Sequence, residues 1–218
     1  MTVDECFRFL QFLSRKNQNG SITPSEFESV YNSSQRTWFD HLIGKITTAP
    51  HIALGQNERI AERLSPFKTT DEPITVTTQN VSYPAGFHAL TSMADAATGE
   101  AMQYLDDTRL RGRINSAIDP INEAKPAVFT NAKTGWKIWP ASLRSVLVSY
   151  YKLPENVVWG FTENNNGRPV YNPETSVQPK WDDLSNEEIL ARCCTPLGIS
   201  FQSQQLVQFG QAAKLQGT

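Results

Sequence analysis

The sequence predicts an α+β fold, with N- and C-terminal helices packed around a central antiparallel β-sheet or meander. Three observations predict it. The first residues carry apolar side chains at helical spacing. The middle, from Ile74 to Tyr171, breaks into short apolar or alternating runs between turn signals. After Ser185 the helical pattern returns. Helices segregated to the ends of a run of antiparallel strands are the α+β pattern. At 218 residues the chain reads as one domain: a helical part over 1–66, a β-rich middle over 67–172, and a loop with C-terminal helices over 173–218.

Val3, Cys6, Phe7, Leu10 and Leu13 set a helix over 3–16, with Phe9 and Phe12 to one side of their stripe. So wide an apolar surface is either deeply buried or partly covered by another chain. A turn follows at Gln18-Asn19-Gly20. Thr23-Pro24-Ser25-Glu26 then starts a second helix, running to about Gly44. Thr23 is its N-cap, Pro24 suits the first position, and Glu26 closes a capping box. Asn32-Ser33-Ser34 breaks or bends it. A third helix covers 57–64 and stops before Pro66.

Ile74-Thr-Val-Thr-Thr and Val81-Ser-Tyr83 read as extended, and 85–97 as a short helix. Further strands are predicted at Met102–Leu105, Ala127–Thr130, Trp136–Trp139, Leu143–Tyr151 and Val157–Thr162. Asn166-Gly167 signals a hairpin leading into Arg168–Tyr171. Ser185 caps a helix from Asn186 to about Cys194, which Pro196 and Gly198 break. A last helix spans 203–215.

Composition narrows the function classes. Net charge is -2, with 39% hydrophobic residues. No acidic or basic block stands out, which disfavours a general nucleic-acid binder. The N-terminus has acids before its apolar run and no small-residue cleavage site, so it is not read as a secretory signal. No run approaches a membrane span. The three cysteines, Cys6 and the adjacent Cys193-Cys194, form no even framework and read as buried reduced thiols. The expectation is synthesis in a reducing cytosol.

Candidate chemistry is sparse. Residues 15–26 align with a calcium-binding EF-hand loop: Asn17, Asn19, Gly20, Ile22 and Glu26 fall on suitable positions. Position one is Arg15, where that loop needs an aspartate, and one carboxylate remains beside two cations. The loop is expected to hold no calcium. His41, His51 and His88 are scattered, and no HExxH, CxxC, GxSxG, Walker loop or GxGxxG occurs. No cofactor and no metal are predicted. Arg109, Arg111 and Arg113 alternate, so in an extended conformation their guanidinium groups would line one face toward DNA phosphates or an acidic partner. A solvated face with local ion pairs is the plainer alternative. Trp136, Trp139, Tyr150, Tyr151 and Trp159 crowd one region. Tyr150 and Tyr151 point opposite ways in a strand, so one of them is expected to leave the core.

The order of these motifs resembles the virion structural proteins of crAss-like tailed bacteriophages and related podovirus-like phages, of the ring or neck class that joins head to tail. The resemblance covers most of the chain. It rests on VDECFRFLQFLSRKNQNGSITPSEF, Tyr83-Pro84-Ala85, Gly135-Trp-Lys-Ile-Trp-Pro140, Val146–Lys152 and Leu153-Pro154. It continues through Val157-Val-Trp159-Gly160, Tyr171-Asn-Pro, Trp181, Glu188–Arg192, Leu197-Gly198-Ile199, Leu206 and Phe209. Cys193-Cys194 and Phe209 depart from it, standing where aliphatic residues and a tyrosine are expected.

The resemblance implies a neck or connector ring subunit joining the portal at the capsid vertex to the tail and surrounding the DNA channel. It implies a location in the virion, about twelve copies in a ring, and docking to portal, neck or tail proteins. Non-specific contact with packaged DNA, no membrane and no catalytic residues complete it. Neighbour contacts are expected at Phe9, Phe12, Tyr150 or Tyr151, and at Leu206 and Phe209 on the last helix. The alternatives are an enzyme in which Cys193 or Cys194 meets one of the histidines, and a soluble monomeric binding module.

Overall fold

A computed structural model describes residues 1–16, 20–48, 54–116, 121, 127–200 and 211. The fold is α+β, as expected. It comprises two compact units: Met1–Pro66 with the chain from Pro154 onward, and Phe67–Leu153. The sequence reading placed the whole chain in one domain, with its β-rich part ending at 172; the second unit ends at Leu153.

The first unit is mainly helical. α1 (Val3–Lys16) buries Val3, Cys6, Phe7 and Leu10, each at most 4% exposed. α2 (Pro24–Thr48) starts at the capping box. Thr23 N–H donates to Glu26 Oε2 at 2.9 Å, and Glu26 N–H to Thr23 Oγ1 at 3.3 Å. The helix does not break at Asn32-Ser33-Ser34. There Asn32 Nδ2 donates to the Val157 carbonyl at 3.0 Å and Oδ1 accepts Val157 N–H at 2.8 Å, so the side chain pairs with backbone as a strand would. α3 follows over Leu54–Leu64. Later in this unit β8 (Phe161–Glu163) and β9 (Pro169–Tyr171) form the hairpin that Asn166-Gly167 predicts. Asn164 Oδ1 caps the turn by accepting from Asn166 and Arg168 N–H.

α5 (Asp183–Ser200) corrects two expectations. Ser185 is not its N-cap but lies inside the first turn, fully buried. Its neighbour Asn186 is turned inward too, accepting Tyr31 O–H at 2.6 Å and donating to the Trp181 carbonyl. The helix also continues through Pro196. Burial of Ile189, Leu190, Cys193, Cys194 and Leu197 along one element outweighs the lost backbone bond. Of the predicted helix 203–215 only Gln211 is described; it is helical and exposed.

The second unit is two sheets sharing a core. One has the order β1 (Lys68–Thr75), β7 (Ser145–Lys152), β3 (Phe87–Asp95), all antiparallel. The other has the order β2 (Asn80–Ser82), β6 (Gly135–Trp139), β5 (Val128–Ala132), β4 (Gln103–Tyr104), with β4 parallel to β5. The segment from 87 to 95 is a strand, not the predicted helix. Helix-favouring alanines are overridden by pairing along most of β7. Val81, Phe129, Trp136 and Ile138 from the second sheet meet Met93, Val146, Val148 and Tyr150 from the first. Tyr83 and Phe87 stack at 4.7 Å, and both meet the edge of Trp136. On the other face of β5, Val128 packs with Leu105 and with Leu110 of α4 (Asp107–Ile114).

Candidate functional site

The expected interface residues divide three ways. Phe9 and Phe12 stand on the outer side of α1, 40% and 54% exposed. Tyr150 and Tyr151 do not divide as predicted: both are buried, at 0% and 8% exposure. β7 is the central strand of its sheet, shielded by β1 and β3, and Tyr150 donates its hydroxyl to Glu72 Oε2 at 2.7 Å. Burial and this bond to a carboxylate push the Tyr150 hydroxyl up to about 12. Leu206 and Phe209 lie outside the described residues.

Arg109, Arg111 and Arg113 do not form an extended row. They lie on α4, where alternate residues point about 200° apart. Asp106 caps that helix by accepting Arg109 N–H, and its carboxylate lies 3.4 Å from Arg109 Nε. Arg113 donates to Gln103 Oε1 at 3.0 Å. Arg109 and Arg111 are exposed, Arg113 half-buried. The helix arises because Asp106 caps it and because Leu110, in the middle, has a buried partner in Val128.

The thiols are packed. Cys6, Cys193 and Cys194 are free and buried. Burial pushes Cys6 and Cys193 up to about 12 and Cys194 to about 11. A thiol so placed is protonated at neutral pH and a poor nucleophile. His41 stacks on Trp38, whose ring also carries the Arg192 guanidinium at 4.5 Å. His88 is exposed in the second unit, and His51 lies outside the described residues. In the EF-hand-like loop, residues 17–19 are outside the description. Glu26 is committed to its capping box, and the Thr23 backbone N–H holds its carboxyl below the usual range. Among the described residues no group of His, Cys, Asp or Glu is placed to hold a metal ion, and no helix is long and apolar enough to cross a membrane.

Sequence reasoning missed a groove inside the first unit, of about 670 Å³, between α1, the start of α2 and β9. Phe7, Ile22, Trp159 and Tyr171 line it together with Arg8, Arg15 and Arg168. Trp159 is its anchor. Its indole N–H donates to Asp4 Oδ1 at 3.1 Å, its backbone N–H to Glu28 Oε1 at 3.0 Å, and its ring lies 4.4 Å from Phe7. Asp4 is also paired with Arg8, at 2.8 Å. The sequence signal was present as a salt-bridge spacing, Asp4 to Arg8, on the helix that also carries the apolar stripe. Nothing linear joins it to Arg168, more than 150 residues on. Also missed were the exposure of Phe161 and Val170 on the hairpin, at 44% and 48%, and of Leu184, at 59%.

No protein-family model matches this chain, and no curated protein matches it.

Proposed function

We propose that this chain is a phage virion structural protein, a subunit of the neck or connector ring between the portal vertex and the tail. The observation that carries the reading is Phe9, 40% exposed on a helix whose opposite face is sunk in the core. Covering the exposed part of one phenylalanine recovers roughly 2 kcal/mol at about 25 cal/mol per Å². A lone chain forgoes that; a subunit with neighbours gains it.

Three further features support it. The order of motifs resembles that family along most of the chain. The side chains best suited to chemistry are spent on packing: the thiols are buried and protonated, and Glu26 caps a helix. Arg111 of α4 is exposed and available to packaged DNA or an acidic neighbour, while exposed Arg109 is paired with Asp106. The enzyme reading needs a thiolate beside an imidazole, and the raised thiols argue against it.

The test is incorporation. Phe9→Ser is expected to leave the unfolding transition in place and to lower incorporation into assembled particles. Undiminished incorporation of the variant overturns the assignment of this face.

A further inference from the structure

The α1–β9 groove and the first turn of α5 carry opposite chemistries. Three arginines and one aspartate line the groove, a net charge of +2. Arg8 is paired with Asp4. Among the described residues Arg15 and Arg168 have no ion-pair partner, so two guanidinium groups remain uncompensated beside an apolar lining. On α5, Leu184 is 59% exposed, more than any other large apolar side chain among the described residues. Exposed Asp182 and Glu187 flank it. An aliphatic knob between carboxylates fits an apolar groove rimmed by guanidinium groups in both shape class and charge. Groove and knob lie in the same unit and share no residue, so one chain offers both at once.

We propose that Leu184 of one copy, with Asp182 and Glu187, docks into the α1–β9 groove of the next copy, against Val170 and under Arg15 and Arg168. This rests on the reading of the chain as a ring subunit and names the contact that joins its copies. Because the two patches differ, the contact is heterologous: it repeats, and it closes into a ring when the rotation allows. A groove of about 670 Å³ is within the range that encloses apolar side chains with a few polar groups fixing their orientation. Val170, 48% exposed, supplies its apolar rim.

Disulfide trapping on the full chain tests it, because Cys6, Cys193 and Cys194 are buried and do not compete. Leu184→Cys and Val170→Cys chains are mixed under mild oxidant, in solution and on assembled particles. The mixed pair is expected to cross-link about tenfold faster than either variant alone, because only it places the two sulfurs in bonding geometry. A chain carrying both substitutions is expected to give a ladder from dimer upward. Arg15→Glu with Arg168→Glu is expected to slow trapping about tenfold, and Asp182→Lys with Glu187→Lys on the other copy to restore it. Equal rates for all pairs, or trapping indifferent to charge reversal, overturns the proposal. So does a doubly substituted chain that stops at a dimer bonded twice, which reports a two-fold contact. Normal incorporation into particles without the mixed cross-link overturns this contact alone. Absence from particles overturns the ring reading itself.

Discussion

Replacing Gly135 by alanine puts a methyl group where β2 leaves no room. The added Cβ lies 1.9 Å from the Val81 carbonyl oxygen, 2.8 Å from its carbon and 2.9 Å from Ser82 Cα. All three are backbone atoms and cannot rotate away. The closest approach is about 1.5 Å short of the 3.4 Å at which ordinary contact begins. A parting of that size takes the pairing of β2 with β6 beyond hydrogen-bond reach. It also shifts Trp136, 1% exposed and wedged against Tyr83 and Phe87. Overpacking costs about 1–3 kcal/mol, and each ladder bond lost adds about 1 kcal/mol. The expected loss is therefore about 3–5 kcal/mol, a large share of the 5–15 kcal/mol by which domains are stable. Urea unfolding followed by tryptophan fluorescence and circular dichroism measures it. Gly112→Ala is the control: nothing lies within 4 Å of its added Cβ, and an exposed helical position gains up to about 1 kcal/mol. A loss under about 1 kcal/mol for Gly135→Ala, with an unchanged m value, would refute the steric argument.

Other outcomes follow from the same physics. The thiols should resist alkylation at about pH 8 until the chain unfolds, because burial holds them protonated. Since their folded values lie above the ordinary 9.0, stability should fall as pH rises from about 9 toward about 12, and a flat profile there contradicts their burial. Thr23→Ala should cost about 1 kcal/mol by removing the N-cap. The Glu26 carboxyl is depressed below 4.5, so its contribution is present above that pH and is lost on acidification; the variant should show a weaker acid dependence. Asn32→Ala should cost about 1–2 kcal/mol despite its better helix propensity, because two backbone groups of Val157 lose their partner. Asn32→Asp, which keeps the acceptor, should recover part of that loss.

Local signals were legible where they act locally. The capping box at Thr23 and Glu26, the Asn166-Gly167 hairpin and the stripe of Val3, Cys6, Phe7 and Leu10 depend on neighbours a few residues away. The errors have nonlocal causes. Residues 87–95 are a strand because β7 pairs with them, a choice made some 55 residues downstream. Tyr151 is buried although it points to the face opposite Tyr150; its cross-strand neighbours, Lys68 of β1 and Ala89 of β3, come from distant segments that alternation alone does not place. The arginines of α4 leave the extended row because Leu110 finds Val128. Ser185 moved inward with Asn186 because Tyr31 reaches it from another helix. The groove escaped notice for the same reason, since it joins residues from both ends of the first unit. The exposure of Phe9 and Phe12 is legible as well, since both fall to one side of the buried stripe of α1.

Electron microscopy of purified particles, with this chain located in the density, tests the central claim most directly. The account predicts a closed ring of copies at the portal vertex around the DNA channel, with the Phe9 and Phe12 face of α1 covered by a neighbour. A chain absent from the particle, or present with that face open to solvent in every copy, would contradict it.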